Sequence, residues 1–480
     1  MGPLLFAALA AFFLCLVLTP LVRDVFVRSG LVDAPDGGRK IHPRPVPRAG
    51  GICVAISYVA GLAALNWAPF QAQSALDHNL VLVWRLLPAA AVAFSTGLLD
   101  DVVGLKPWQK LLGIVAAGAL AWAGGVQLDN IAGHLVQRPW GFIFTIVWLV
   151  GCTNAFNLID GLDGLAAGIG LFATVTTLIL ALLRGNNGLA LAAAPLVGCL
   201  LGFLVYNFNP ASVFLGDSGS LLIGFLLGCY GIIWSQKCAT VLEITVPLMT
   251  LAIPLTDTVV SMTRRFIRLQ PIFGADNDHI HHRLLRRAAG NPRSVAILIY
   301  LVCALAAGFS LLESMMTAAY AAVVACAFCI AIWMGIHSLG YIEFRVAGRL
   351  LLGGELRRML RAEVRLRALE ESLAAAATSD DFWLCIVQAS RAFDFSRMSL
   401  AIGGRVYEER FNRAPSENCW SISIPLTSTD YIEFAQEFCP HDGALSTTLF
   451  VEVVRRSCRA RWCGLHAEGY SRMPSGLEAV

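Results

Sequence analysis

Residues 154–165 read NAFNLIDGLDGL and follow directly on the apolar run GFIFTIVWLVGC. Asn154, Asn157, Asp160 and Asp163 recur every three residues. An acidic residue at the centre of a membrane helix costs roughly 2.5–3.5 kcal/mol on insertion scales, so amides and carboxylates beside such a run need a reason to be there. Four further polar clusters stand between apolar runs. The first, LVDAPDGGRKIHPRPVPRAGG, carries Arg39, Lys40 and His42. The next, GLLDDVVGLKPWQKLLG, carries Asp100, Asp101 and Lys110, and NPASVFLGDSGSLLIG carries Asp217. The last, TDTVVSMTRRFIRLQPIFGADNDHIHHRLLRR, carries Asp257, Asp276, Asp278, His279, His281, His282 and Arg283. Any one of these carboxylates fits a helix cap. Five polar clusters on successive loops of one face, with the alternate loops nearly bare, point instead to one shared site.

Carboxylates and Asn supply hard oxygen ligands, which suit Mg²⁺ or Mn²⁺ better than zinc. Arg39, Lys40, Lys110 and Arg283 stand near them and can hold anions. Acids for a metal together with bases for an anion are the equipment of phosphate chemistry. Glycines flank the acids in DGLDGL and GDSGS, where they end helices and let backbone N–H groups approach an anion. In HIHHRL, His279 and His282 are three apart and can share a helix face, with His281 turned elsewhere. No thiolate lies nearby, so a phosphate or sugar contact is favoured over a zinc pair. Cys439, His441, Cys458, Cys463 and His466 fit no standard zinc spacing and are read as reduced thiols and ordinary histidines.

The elements that must position these residues are membrane helices. Of 480 residues, 57% are hydrophobic and 14% charged, against about 25% charged in ordinary soluble domains. Mean hydropathy is +0.66. Apolar runs of spanning length fall at about 3–22, 50–67, 81–99, 109–125, 141–157, 164–183, 189–208, 219–236, 243–262, 294–312 and 316–337. The first lacks a basic flank and a cleavage site and is expected to be retained. The loops that carry the polar clusters are rich in Lys and Arg, whereas the alternate loops hold only Arg138, Arg184 and Lys237. That bias places the clusters in the cytoplasm, the N-terminus outside and the C-terminus inside. The net charge of +3 gives no reason to expect nucleic acid. The expectation is an all-α polytopic membrane protein of about eleven transmembrane helices over 1–340, with an amphipathic helical connector over 341–377. A small cytoplasmic α/β domain of unknown role follows over 378–480, with strands at RMSLAIGG and CWSISIPL and a helix at DFWLCIVQASRAF.

Residues 1–340 resemble the bacterial polyprenyl-phosphate N-acetylhexosamine-1-phosphate transferases, a superfamily shared with the phospho-MurNAc-pentapeptide translocases. The resemblance rests on RKIHPRPVPRAGG, LLDDVVGLKPWQK, NAFNLIDGLDGLAAG, VFLGDSGSLLIG and DHIHHRL in that order. HIHHRL is closer to the initiators of O-antigen, common antigen and teichoic acid than to the translocases, which carry three consecutive His. The resemblance implies transfer of an N-acetylhexosamine 1-phosphate, GlcNAc first, from a UDP-sugar to undecaprenyl phosphate at the plasma membrane, with UMP released. It implies Asp217 and Asn157 as contacts to Mg²⁺ (or Mn²⁺), and Asp100 and Asp101 as the pair that positions or deprotonates the lipid phosphate. It also implies Lys110 on the pyrophosphate, Asp160 and Asp163 on the nucleotide side, and His281 and His282 near the sugar and diphosphate. Asn154, Arg39, Lys40, His42, His279 and Arg283 complete the expected substrate contacts. Direct attack by the lipid phosphate is favoured over a covalent enzyme intermediate. A different UDP-N-acetylhexosamine or a deoxy-sugar donor stays open, as does a homodimer. A transporter of anionic metabolites is the remote alternative, since polar residues at one interface and the absence of a repeat speak against it. The family does not generally carry the extension beyond about residue 345.

Overall fold

The computed structural model describes residues 1–33, 45–67, 73–131, 134–236, 245–267, 270, 278–288, 290–341, 355–376, 378–393, 395–402, 404–411, 419–425, 430–437 and 450–457. Arg39, Lys40, His42, Asp276 and the Cys/His set from Cys439 to His466 lie outside them. The chain divides into two compact units, Met1–Tyr341 and Ile342–Val480.

The first unit is a helical bundle: α1 (Gly2–Arg28), α2 (Gly50–Ala64), α3 (Gln73–Val103), α4 (Pro107–Ala123), α5 (Arg138–Ile159), α6 (Leu165–Leu183), α7 (Asn187–Asn207), α8 (Gly216–Ser235), α9 (Thr245–Thr250), α10 (Ala252–Ile267), α11 (Ile280–Arg287), α12 (Pro292–Met315) and α13 (Ala318–Ser338). A two-residue hairpin, β1 (Asn130–Ile131) with β2 (His134–Leu135), lies between α4 and α5. Eight of these helices are long and apolar enough to cross a membrane. The other three expected spans come out shorter. The run at 50–67 yields the 15 residues of α2, and the run at 109–125 yields the 17 of α4. The run at 243–262 is broken into α9 and α10 around Leu251. Pro254 stands at the break: it has no N–H to donate back to the preceding turn, and α10 begins two residues before it, which places it in that helix's first turn.

Helix α8 is the axis of the bundle. Every residue from Ser218 to Ser235 is buried, and α2, α3, α5 and α6 pack around it. Without a hydrophobic driving force between helices in lipid, close backbone approach through small residues is what holds such a bundle together. Gly216, Gly219, Gly224, Gly228 and Gly231 supply it along α8. The approach is tightest at the helix start. A Cβ on Gly51 would stand 2.3 Å from the backbone nitrogen of Gly219, and one on Gly97 would stand 2.4 Å from the carbonyl oxygen of Asp217. The chain entering α2 also pairs with the chain entering α8. Phe214 N–H donates to Pro47 O, and Gly50 and Gly51 N–H donate to Phe214 O and Leu215 O, each at 2.9 Å.

The second unit holds α14 (Glu355–Ala375), α15 (Ser379–Ala392), a helical stretch at 450–457 and a four-stranded antiparallel sheet. Its strands are β3 (Arg397–Ile402), β4 (Arg405–Arg410), β5 (Cys419–Pro425) and β6 (Tyr431–Glu437), in the order β4-β3-β6-β5. Met398 faces Phe434 and Leu400 faces Ile432 across β3 and β6. These four residues share a core with Phe382, Ile386, Phe450 and Val454. The apolar stripe of α14, Leu366, Leu369 and Leu373, packs into the same core.

Gly97→Ala tests the contact at the start of α8. Its Cβ meets backbone, which has no rotamer to give way, and overpacking of this kind costs about 1–3 kcal/mol. The detergent melting temperature should fall. Gly151→Ala, whose Cβ meets nothing within 4 Å, should leave it unchanged.

Candidate active site

Four helix ends converge on Lys110. Its ammonium donates to Asp100 Oδ2 at 2.8 Å, to Asn157 Oδ1 at 2.9 Å and to Asp217 Oδ2. Asp100 comes from the last turn of α3, and Asn157 from the last turn of α5. Lys110 stands in the first turns of α4, and Asp217 is the second residue of α8. The turn from α3 to α4 is closed by Asp100, whose Oδ1 accepts the Leu105 N–H at 2.7 Å. Asn157 is held from its other end, donating through Nδ2 to Ser220 Oγ at 3.0 Å.

Asp101 does something different from its neighbour. Its Oδ1 accepts the Asp217 N–H at 2.8 Å, and its Oδ2 accepts the Ser218 N–H at 2.9 Å and the Ser218 hydroxyl at 2.7 Å. A carboxylate from α3 thus caps α8, satisfying amides that have no partner within their own helix and placing negative charge on the positive end of its dipole.

The DGLDG segment between α5 and α6 forms the next wall. Asp163 Oδ2 accepts the Asn209 amide at 2.8 Å and the Ala211 N–H at 3.0 Å, tying this loop to the one before α8. Tyr300 of α12 donates to Gly164 O at 2.6 Å and fixes the start of α6. Asp160 closes α5. Burial raises its carboxyl well above the usual carboxylate range, and the negative charges of Asp217, Asp101 and Asp163 add to the effect while Arg48 opposes it. A carboxyl in that field takes up a proton or a cation.

The histidines form a second cluster. Asp257 of α10 accepts the Ile280 N–H at 2.7 Å, capping α11, and its Oδ2 lies 3.1 Å from His279 Nδ1. The Ser261 hydroxyl sits 3.1 Å from the same nitrogen. His281 is buried against the DGLDG loop, its Nε2 2.5 Å from where a Cβ on Gly161 would stand. Neither of its ring nitrogens has a hydrogen-bond partner among the described residues. Burial, with His282 adding, pushes its pKa down to about 3, so the ring is neutral at physiological pH. His281 is not turned away from its neighbours as its spacing implied. Its ring centroid is 4.2 Å from that of His282 and 5.6 Å from that of His279.

Asp100, Asp101, Lys110, Asn157 and Asp217 thus meet at one place, with Asp160 in their field. Asn154 donates to Val150 O of its own helix at 2.9 Å and takes no part in the bonds around Lys110. Arg283 is turned to Asp278 and to Leu339 O. Sequence reasoning missed the pairing roles of Ser218, Ser220, Asp257 and Ser261. Ser218 and Ser220 flank a glycine in the GDSGS motif, and Asp257 stands alone in an apolar run. Those were the available signals.

Asp101→Ala should lower the detergent melting temperature without any substrate present, since losing a capping side chain costs about 0.5–2 kcal/mol. Ser218→Ala, which loses only the hydroxyl bond, should cost less. An unchanged melting temperature for Asp101→Ala would show that the carboxylate does not hold α8.

Comparison with known proteins places the site in a family. The sequence pattern of glycosyl transferase family 4 matches residues 83–235, which contain Asp100, Lys110, Asn157 and Asp217. A probable undecaprenyl-phosphate N-acetylglucosaminyl 1-phosphate transferase of Bacillus subtilis is 33% identical over 292 residues, covering 60% of this chain and 78% of the relative. A decaprenyl-phosphate N-acetylglucosaminephosphotransferase of Mycolicibacterium smegmatis is 31% identical over 312 residues, covering 58% and 74%. A phospho-N-acetylmuramoyl-pentapeptide-transferase of Latilactobacillus sakei is 31% identical over 226 residues, covering 43% and 68%. With its acidic helix ends gathered on one lysine and its relatives matched over most of their length, the chain belongs to the polyprenyl-phosphate N-acetylhexosamine-1-phosphate transferase family.

Proposed function

We propose that this multi-pass membrane protein transfers N-acetylglucosamine 1-phosphate from UDP-N-acetylglucosamine to undecaprenyl phosphate, releasing UMP. The observation that carries the proposal is the convergence of Asp100, Asn157 and Asp217 oxygens on the Lys110 ammonium. An oxygen of the lipid phosphate attacks the phosphorus that bears the sugar. The bond from that phosphorus to the bridging oxygen breaks, and UMP leaves with the electron pair. One pyrophosphate is broken and one is made, so no other energy source is required.

Among the described residues no three of His, Cys, Asp and Glu gather into a metal-binding group. The oxygens that converge are two carboxylates and one amide. This set fits Mg²⁺ or Mn²⁺, because Mg²⁺ keeps several waters and takes only one or two carboxylates beside substrate phosphates. Asp217 and Asn157, with Asp100 beside them, would hold it. When bound, the ion neutralises charge on the phosphoryl oxygens.

The chain's own residues do the rest. Lys110 supplies positive charge for the departing UMP. Asp101 takes the Asp217 and Ser218 amides of α8, so those two amides are not open to a phosphate and basic side chains carry more of the anion contact. Asp101 then acts by holding Asp217 in place, and Asp100 is the carboxylate nearer the lipid phosphate. Asp160 and Asp163 shape the nucleotide side, and His279, His281 and His282 meet the sugar and diphosphate. A UDP-sugar is a cytoplasmic metabolite, and the excess of Lys and Arg on the loops bearing these residues supports a cytoplasmic face of the plasma membrane.

Purified protein incubated with undecaprenyl phosphate and a panel of UDP-sugars should release UMP most readily from UDP-N-acetylglucosamine. EDTA should stop the reaction and Mg²⁺ or Mn²⁺ should restore it; full activity in EDTA would remove the metal from the reading. Asp217→Asn should slow the reaction by more than about a hundredfold, or ~2.7 kcal/mol of barrier. Lys110→Ala should cost about tenfold or more, since hydrogen bonds to charged groups are worth roughly 1.5–3 kcal/mol. Release of UMP from none of the N-acetylhexosamine donors would sink the assignment.

A further inference from the structure

The helix that carries the histidines, α11, is eight residues long. Isolated helices shorter than about 12–15 residues are marginal in water, so its place must be set by what grips it. Its N-terminal end is gripped by α10. Asp257 caps Ile280 N–H, Ser261 meets His279, and Arg264 donates to Asp278 at 2.6 Å. Its middle and C-terminal end are gripped from elsewhere, by the end of the last membrane helix. Arg287 donates to Ser338 O at 2.9 Å and Arg283 to Leu339 O at 3.4 Å. Ser338 ends α13 and Leu339 caps it, so both guanidiniums sit at the negative end of that helix dipole. The Arg283 guanidinium also lies over the ring of Tyr341, 3.7 Å from its centroid, while its Nε and Nη2 donate to Asp278. Asp278 receives Arg264, Arg283 and Arg286 together. Burial alone would raise its carboxyl, but these guanidiniums hold it below the usual carboxylate range. Tyr341 is 2% exposed.

The geometry points to Tyr341 as a positioning residue: its ring, lying under the Arg283 guanidinium, fixes the middle of α11 and so sets His281 against the DGLDG loop, with His282 beside it. This rests on the transferase reading above. The specific element is the aromatic face. An Arg guanidinium is planar and weakly hydrated and stacks on an aromatic ring, and such contacts strengthen when they are desolvated. Phenylalanine keeps that face and leucine does not. The tyrosine hydroxyl is not needed for the stack. Tyr341 is also the last residue of the membrane unit, so the brace is made from the chain that leads directly into the C-terminal extension.

The test uses full-length Tyr341→Leu and Tyr341→Phe in detergent. Hydrogen–deuterium exchange without substrate should show the amides of 283–287 exchanging about tenfold faster in the leucine variant, equivalent to about 1.4 kcal/mol. The phenylalanine variant should exchange like wild type, and so should the amides of α6 in both. In steady-state assays the leucine variant should show an apparent KM for the UDP-sugar raised about fivefold to tenfold with kcat changed less, and phenylalanine should restore it. Unchanged exchange in the leucine variant overturns the brace. Faster exchange with unchanged KM overturns its positioning role. A phenylalanine variant as impaired as leucine, or faster exchange throughout α6, overturns it too, because the defect would then not belong to the stacked ring. If wild-type protein releases UMP from no UDP-sugar, the transferase reading fails and the exchange measurement alone decides the brace.

Discussion

A single ammonium group inserted between two carboxylates and an amide is the interaction on which the rest of this protein depends. Asp100 and Asp217 lie close enough to share one lysine, and like charges at that range repel each other in the half-dry rim of a membrane bundle. Lys110 turns the repulsion into attraction and ties α3, α5 and α8 to α4. Removing one partner leaves the remaining charge uncompensated, a loss that grows with burial, and these side chains are part-buried. The same atoms that hold the helix ends together are those that a pyrophosphate and its cation would meet. On the proposed reading, structural cohesion and substrate affinity are two uses of one charge pattern. A ligand that brings its own charges must rearrange the pattern in order to bind.

Such a site works only if the helix ends stay fixed to within a fraction of an ångström, and apolar contact in lipid does not provide that. Two short-range devices do. One is backbone contact through glycine, at Gly97 on Asp217 and Gly51 on Gly219, where no side chain intervenes to flex. The other is the reach of Asp101 across to the first amides of α8. These meet at the same turn, so Asp217 is fixed by its carbonyl, its N–H and its carboxylate at once.

That these residues gather was largely legible in the sequence, because acids and amides beside apolar runs are costly and therefore conspicuous. Asp100, Lys110, Asn157 and Asp217 could be nominated on that ground and on motif order. The division of labour between Asp100 and Asp101 could not. The two are adjacent and chemically identical, and only the contact of Asp101 with residues 116 and 117 positions away separates them. The spans were legible as apolar runs, but their lengths were not. Hydropathy continues smoothly through 243–262, and the break there follows from backbone geometry at Leu251 and Pro254. The histidines were legible in part: the rings of His279 and His282 do meet, 6.4 Å apart, but His281 joins them. Helical spacing pairs His279 with His282, yet His279 is the cap residue of α11, with φ −62° and ψ 161°, and lies outside the helix to which that spacing applies.

The histidine cluster and the lysine cluster are not independent of each other. Asp257, Ser261 and Arg264 recur along α10 at steps of four and three residues, so they share one face of that helix, and each grips the start of α11. Helix α10 in turn packs on α5, whose last turn carries Asn157 and whose C-terminal residue leads into Asp160. Gly161 then touches His281 from the other side. The loop DGLDG therefore lies between the two clusters, with Asp160 in the field of Asp217 and Asp101, Asp163 tied to the loop before α8 and Gly161 against the His281 imidazole. An added side chain at Gly161 would push these clusters apart even though it carries no charge. The small residue between the acids is as much a part of the site as the acids are.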